Sequence, residues 1–352
     1  MRFLLLLPVV FLLGLGPSDR TDVAGRNLHD TLKILATRHH ICGVTVAVIK
    51  NRKLEAVDFA SGCTPAPTLD PNTVFQAASL SKPVFAYAVL TLVAQGKLGL
   101  DVPVATYLPH GYRHRFDPLK AAPAELVTDP RLAAITVRMI LNHTSGLPNW
   151  ASGPLDLSAT PGTKWRYSGE GYLLLQRAVE AVTKQPLDQF MAAKVFRPLG
   201  MRHSHFVWSE RIEHDLLPGT NANGTPRQPI RFDTPIAAAS LYTTAKDYGT
   251  FLAHLLNQAA VLRQITASPV MVDRRLGVTW GLGWGIEAHD GERSIWQWGN
   301  NAGYRAFVMG SVRTGDGFVL LTNSENGLRL AEPIARKILP PAHSLFKFSL
   351  LD

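Results

Sequence analysis

Ala77-Ala78-Ser79-Leu80-Ser81-Lys82-Pro83 sets a serine and a lysine three residues apart, at the point where a loop becomes an apolar helix. Residues at i and i+3 share a helix face, so the Lys82 ammonium can lie beside the Ser79 hydroxyl. A serine hydroxyl is a poor nucleophile until a neighbouring base takes its proton. A lysine in a partly desolvated cleft can be that base, because burial lowers its pKa. The spacing alone does not discriminate: Ser344-Leu345-Phe346-Lys347 repeats it in the tail. Context has to decide between the two.

Upstream, Asp70-Pro71-Asn72 opens a loop that delivers Phe75-Gln76-Ala77-Ala78 into the Ser79 helix, which runs on through Phe85, Val89, Leu92 and Val93 to Gln95-Gly96. Pro83 is tolerable in its first turn, where few backbone donors have intrahelical partners. Further back, Gly43 to Lys50 is β-branched and reads as a buried strand. Asn51-Arg52-Lys53 reads as a turn, and Leu54 to Ala60 as the return strand. An amphipathic helix over residues 22–40 precedes them, with Leu28, Leu32 and Leu35 on one face. Cys42 and Cys63 lie about equally far from the turn, so a hairpin predicts a bridge between them. If a bulge spoils the register, two unpaired thiols are the alternative.

Downstream, residues 101–270 mix short helical patterns with Pro/Gly/Asn-rich loops. Helices are predicted at Thr136–Leu141, Gly171–Thr183, Pro186–Val195 and Thr244–Asn257. Beyond Arg275, strands are predicted at Trp280–Glu287, Ser294–Trp298, Tyr304–Val312 and Phe318–Thr322, followed by a helix over Leu328–Ile338. Strands at both ends of the chain therefore flank a helical middle. The economical solution is an α/β (α+β) fold, with one antiparallel sheet built from N- and C-terminal strands, flanked by helices, and a mainly helical region inserted. The expected boundaries are a single catalytic domain over 22–345, its sheet region 22–75 and 275–345 and its helical region 76–274. There is no internal repeat.

The 352 residues, 46% of them hydrophobic, suffice for a large core. The formal charge of +9 is spread along the chain with no long basic run, which argues against nucleic-acid binding. Met1-Arg2 followed by the apolar run Phe3–Leu15 has the order of a cleavable signal peptide over residues 1–16, the alternative being a retained anchor helix. Secretion or periplasmic location is the expectation.

Trp165-Arg166-Tyr167-Ser168-Gly169-Glu170-Gly171-Tyr172 holds the second chemical candidate. Tyr167 sits between the turn at Pro161-Gly162 and an apolar helix, a usual place for a functional side chain. Beside a cationic lysine its phenolate would be favoured, and it could shuttle protons to Ser79. With both candidates in place, the chain resembles the serine β-lactamase-like superfamily of class C β-lactamases, D-alanyl-D-alanine carboxypeptidases and β-lactamase-fold carboxylesterases. Four further stretches carry the resemblance in order: Leu141-Asn142-His143-Thr144-Ser145-Gly146-Leu147-Pro148, Arg197-Pro198-Leu199-Gly200-Met201, Ala238–Asp247 and Trp280-Gly281-Leu282-Gly283-Trp284. The resemblance spans about Cys42 to Asn323. It implies a β-lactamase/transpeptidase-like fold with Ser79, Lys82 and Tyr167 as catalytic residues.

Two departures from the superfamily pattern bear on the substrate. The second motif is commonly Tyr-x-Asn, whereas here it reads Tyr167-Ser168-Gly169. The third is commonly Lys-Thr-Gly or His-Thr-Gly, whereas the corresponding stretch here reads Trp298-Gly299-Asn300-Asn301-Ala302-Gly303-Tyr304, with Asn300 where the cation would be. Arg313-Thr314-Gly315 imitates the motif but falls between two strands, as a hairpin turn. Arg305 reads as solvent-facing. Without the cation, a substrate carboxylate is less expected.

Other candidates fall away. His203-Ser204-His205 lacks the further ligands of a zinc site, Gly281-Leu282-Gly283-Trp284-Gly285 opens no helix and so is not a dinucleotide loop, and His143 reads as fixing a loop through hydrogen bonds. The expected function is a serine hydrolase acting on a small ester, a β-lactam or a peptidoglycan peptide as a monomer. Asn300 and Gly303 would bind substrate, with a Gly303 backbone donor facing the oxyanion, and no metal or cofactor is called for. The alternative is a catalytically silent relative that binds cell-wall peptides or penicillin.

Overall fold

In the computed structural model, which describes residues 27–119, 124–289, 291–339 and 342–351, an antiparallel eight-stranded sheet carries the fold. The expected leader over residues 1–16 lies outside the described residues. Helix α1 (Leu28–Arg38) is capped by Asn27, whose side chain accepts from the Asp30 N–H. The hairpin follows as β1 (Val44–Lys50) and β2 (Lys53–Ala60). A short ribbon pairs β3 (Phe75–Ala78) with β4 (Leu241–Thr243). The C-terminal part contributes β5 (Val270–Asp273), β6 (Val278–Trp280), β7 (Gly285–His289), β8 (Glu292–Asn301), β9 (Tyr304–Ser311) and β10 (Gly317–Thr322). The sheet order is β2-β1-β10-β9-β8-β7-β6-β5, so strands from the two ends of the chain meet where β1 pairs with β10.

Alternation along β1 explains the layers. Val44, Val46 and Val48 pack with Leu32 and Leu35 of α1 and Ile334 of α5 (Ala331–Ile338), while Ala47 and Ile49 face the opposite layer. That second layer begins with α4 (Ala245–Asn257), which comes so close that a Cβ on Gly249 would lie 2.8 Å from Ala47 Cβ. Behind it lie α2 (Ser81–Ala94) and α3 (Gly169–Thr183). Ten of the fourteen residues of α2 are buried, as expected of a helix that is apolar all round.

The bridge Cys42–Cys63 is formed. A β-bulge does sit in this hairpin, between Val48 and Ile49, but it favours the bridge instead of preventing it. The register at the turn, Lys50 with Lys53, would continue to set Cys42 opposite Ser61. Past the bulge Val44 faces Ala60, which moves Cys42 one position closer to Cys63.

Three sequence expectations are corrected. Trp280–Glu287 is two strands, β6 and β7, because Gly281-Leu282-Gly283-Trp284 reverses the chain with Gly283 at φ +85°. The sheet region begins at β5, ahead of residue 275, and helix Ala259–Thr266 precedes it. The helix expected at Pro186–Val195 runs on through a π-helical turn at Ala192–Phe196 to Leu199.

Candidate active site

Ser79 lies in the turn between β3 and α2, and the turn is held from several sides. Ala78, with a Cβ, adopts φ +50°, a conformation that costs energy and persists only when its surroundings enforce it. Ser81 Oγ donates to Ala78 O at 2.6 Å and accepts from Leu241 N–H at 3.0 Å, and Tyr248 Oη donates to Leu80 O at 2.9 Å. The Ser79 side chain stays partly exposed while its neighbours are buried.

Lys82, one turn on, is fully buried. Its Nζ lies 3.0 Å from Ser79 Oγ and 2.8 Å from Ala238 O, and 4.8 Å from the centre of the Tyr167 ring. The ammonium thus meets a hydroxyl, a carbonyl and aromatic faces, with no carboxylate in reach among the described residues. Burial pulls its pKa down to about 7. The amine can then shed its proton near neutrality and accept the one on Ser79.

Tyr167 hydrogen-bonds to Ser79 and receives a bond of 3.3 Å from Gln297 Nε2. Burial pushes the phenol pKa upward, against the weaker pull of these two bonds, so it stays protonated at neutral pH. The loop that carries it is bracketed by His143. Arg166 N–H donates to His143 O at 2.8 Å, Ser168 N–H donates to His143 Nδ1 at 3.1 Å, and the two rings lie 4.4 Å apart. His143 is fully buried, and burial followed by the charge of Lys82 drives its pKa well below the ordinary value. It is a neutral acceptor, matching the loop-fixing reading. Ser168 caps α3 through the Gly171 N–H at 2.9 Å, which ends the loop in a rigid element.

Strand β8 forms the other wall, and its alternation corrects the third-motif assignment. Gln297 reaches Tyr167, a Cβ on Gly299 would fall 2.3 Å from Ala77 O, and Asn301 Nδ2 donates to Gln76 Oε1 at 2.9 Å. These odd positions face the Ser79 turn. Trp296 and Trp298 join the aromatic layer on the other face, where Trp298 also packs on the Tyr167 ring at 4.8 Å. Asn300 therefore does not stand where a site-facing cation would; Gln297 does. Arg305 pairs with Asn300 and donates to Asn301 O and Tyr304 O, so it does not supply the missing charge.

Gly303 is likewise displaced from its expected place. It forms the tight β8–β9 turn at φ +81°, and a Cβ there would meet Gly219 Cα at 3.0 Å. Its carbonyl accepts from Thr220 N–H, so its neighbours are Gly219 and Thr220 and not the Ser79 turn. A different donor is at hand. The β7–β8 ladder ends at Trp296, leaving that edge of β8 open as far as Asn301. Trp298 N–H turns to Gln297 Oε1 at 3.1 Å, and alternation directs Asn300 N–H to the same open edge.

The structure thus brings together Ser79, Lys82 and Tyr167, and adds Gln297 and His143. Gln297 escaped the sequence reading, although Gly299 carried a usable signal: a glycine inside a strand often marks close backbone approach, and counting back by two from it reaches Gln297. The second serine–lysine match dissolves. Ser344 Oγ donates to Leu276 O at 2.7 Å and Glu287 Oε1 at 3.0 Å, and Lys347 is exposed.

Comparison with known proteins shows the family and the fold. The profile of the Beta-lactamase family matches residues 28–341. Esterase EstB of Burkholderia gladioli is 35% identical over 171 residues, a stretch that covers 40% of this chain and 40% of the esterase. Penicillin-binding protein 4 of Amycolatopsis lactamdurans is 26% identical over 348 residues, 87% of each chain. The structure of an octameric penicillin-binding protein homologue from Pyrococcus abyssi matches with a TM-score of 0.71 at 20% identity, covering 89% of this chain and 77% of that one.

Proposed function

The chain belongs to the Beta-lactamase family, and we propose that it is a serine hydrolase that cleaves an ester or amide through an acyl-enzyme on Ser79. The observation that carries this reading is the buried Lys82 amine 3.0 Å from Ser79 Oγ. With its pKa near 7, Lys82 is the acylation base. It takes the Ser79 proton as Oγ bonds to the substrate carbonyl carbon. The carbonyl oxygen becomes an oxyanion, held by the N–H groups of Ser79 and Asn300. Collapse of the tetrahedral intermediate breaks the bond to the alcohol or amine, which leaves with a proton from Tyr167. Tyr167 regains its proton from the Lys82 ammonium. Water then attacks the acyl carbon, one of its protons passing to Lys82; the bond from the acyl carbon to Oγ breaks, Oγ takes that proton back from the Lys82 ammonium, and the carboxylic acid is released.

Purified protein and its Ser79→Ala form would be assayed on p-nitrophenyl esters, a chromogenic cephalosporin and D-Ala-D-Ala peptides, with covalent labelling read by intact mass. Turnover and labelling of the native serine are expected, with a loss of at least 1000-fold in Ser79→Ala (on the order of the effect of removing a triad nucleophile). Absence of both with every probe would establish the alternative, a binder that turns nothing over.

We also propose export. The Cys42–Cys63 bridge supports it, because such bonds persist in oxidising compartments. The N-terminal mass of protein recovered from its native host would have to show a processed leader; an intact Met1 end on protein retained in the cytosol defeats the idea.

A further inference from the structure

A cavity of 620 Å³ opens beside this site, within the range of small-molecule pockets. Its wall includes chain neighbours of the catalytic groups. Ala239, in its wall, follows the Ala238 carbonyl that holds Lys82, and Asn300 and Asn301 in the wall come from the strand packed on the Ser79 turn. The rest of the lining is dominated by apolar and aromatic residues, among them Phe116, Trp150, Phe232 and Ile236.

Its charged lining is acidic. Among the described residues that form the wall, the ionisable ones are Asp117 and Glu170, and none is Lys or Arg. Glu170 is fully buried, with Oε1 accepting from Ala151 N–H at 3.0 Å and Oε2 lying 3.3 Å from His114 Nδ1 without a hydrogen bond. Burial raises the Glu170 pKa to about 7 and lowers that of His114, so the pair offers an incoming anion no compensating cation. The site-facing residues of β8 are neutral as well, namely Gln297, Gly299 and Asn301. Among the described residues of this wall and of this face of β8, no cation would pair an anion desolvated here.

We propose that this cavity seats the non-reacting part of the substrate on one side of the scissile bond, and that it selects aryl or branched-alkyl groups that are neutral or cationic while rejecting carboxylates. The inference rests on Ser79 being the nucleophile. It separates the chain from enzymes that hold a substrate carboxylate, and it assigns the selection to the cavity wall. Trp150 and Ser152 are the wall positions to test, since both are exposed.

The test compares kcat/KM in two series on the full protein. One varies the acyl group of p-nitrophenyl esters from acetate to hexanoate, phenylacetate and monoglutarate. The other varies the alcohol of acetate esters in the same way. In at least one series, the apolar groups should exceed the smallest by tenfold or more, and a terminal carboxylate should reverse that gain by at least tenfold. Trp150→Ala should reduce the apolar preference severalfold. Ser152→Arg should recover at least fivefold on the carboxylate-bearing ester. Turnover insensitive to size and charge in both series overturns the proposal, as does a Ser152→Arg protein with unaltered discrimination. If no ester is turned over and nothing labels Ser79, the catalytic reading fails first and this inference falls with it.

Discussion

At the scale of single residues, the site depends on a destabilised lysine. Lys82 is buried with hydrogen bonds to one hydroxyl and one carbonyl, and its pKa of about 7 lies far below the ordinary 10.5. A folded-state pKa below the unfolded one means that charging opposes folding. The cost is absent above the unfolded pKa, grows as pH falls from about 10.5 to 7, and is complete below that. Lys82→Met should therefore be inactive yet more stable at pH 7, by roughly 2–4 kcal/mol, since each tenfold change in acidity between the two states corresponds to about 1.36 kcal/mol. Denaturant unfolding of the two proteins checks this, and a less stable Lys82→Met would mean that Lys82 contributes net attraction. In the native enzyme, kcat/KM on a neutral ester should rise with pH about a midpoint near 7 as the amine frees itself. A profile flat from pH 5 to 9 would remove Lys82 from the role of base.

At the scale of elements, the site is a junction of four segments of the chain. The β3–α2 turn presents Ser79, the His143 loop clasps the Tyr167 loop, and β8 closes the side. His143→Ala deletes the Ser168 N–H acceptor and the ring that supports Tyr167. We expect kcat to fall by about 10- to 100-fold with KM little changed, since small misplacements of a catalytic group cost on that order. An unaltered kcat would show that the loop holds its shape without His143. Gly299→Ala tests the junction itself, because the added Cβ would sit 2.3 Å from Ala77 O, with backbone on both sides of the clash. It should cost about 1–3 kcal/mol and most of the activity; a wild-type Tm and rate would show that β8 and the Ser79 turn can separate freely.

At the scale of the whole molecule, both chain ends complete one sheet. The Cys42–Cys63 bridge spans 21 residues of hairpin at its edge, and replacing both cysteines by serine should destabilise by about 2–4 kcal/mol. Urea titration of the double variant checks it, with an unchanged midpoint as the contrary result. The tail is tied to the sheet through buried Glu287, which accepts from Leu345 N–H and Ser344 Oγ and pairs with His343. Phe348 thereby packs on Trp165, Trp296 and Trp298, the aromatic layer beneath Tyr167.

What the amino-acid order determined by itself was local. Alternation in β1 and β2, the threonine and serine caps at Thr136, Ser168 and Thr244, and the helix opening after Ser79 all follow from neighbours in the chain. So did the pairing of Ser79 with Lys82, because a helix fixes what lies three residues away. The face of β8 that meets the site, and the place of Gln297 on it, were decided only by tertiary structure. A strand's alternation has two phases that differ by one residue, and within Gln297–Gly303 Gly299 alone hints at the phase without saying what it meets. The backbone of Ala77, more than two hundred residues earlier in the chain, selects the phase by leaving room for Gly299 alone. The serine and lysine were legible from their own spacing, whereas the wall opposite them was set by a contact that local sequence does not contain.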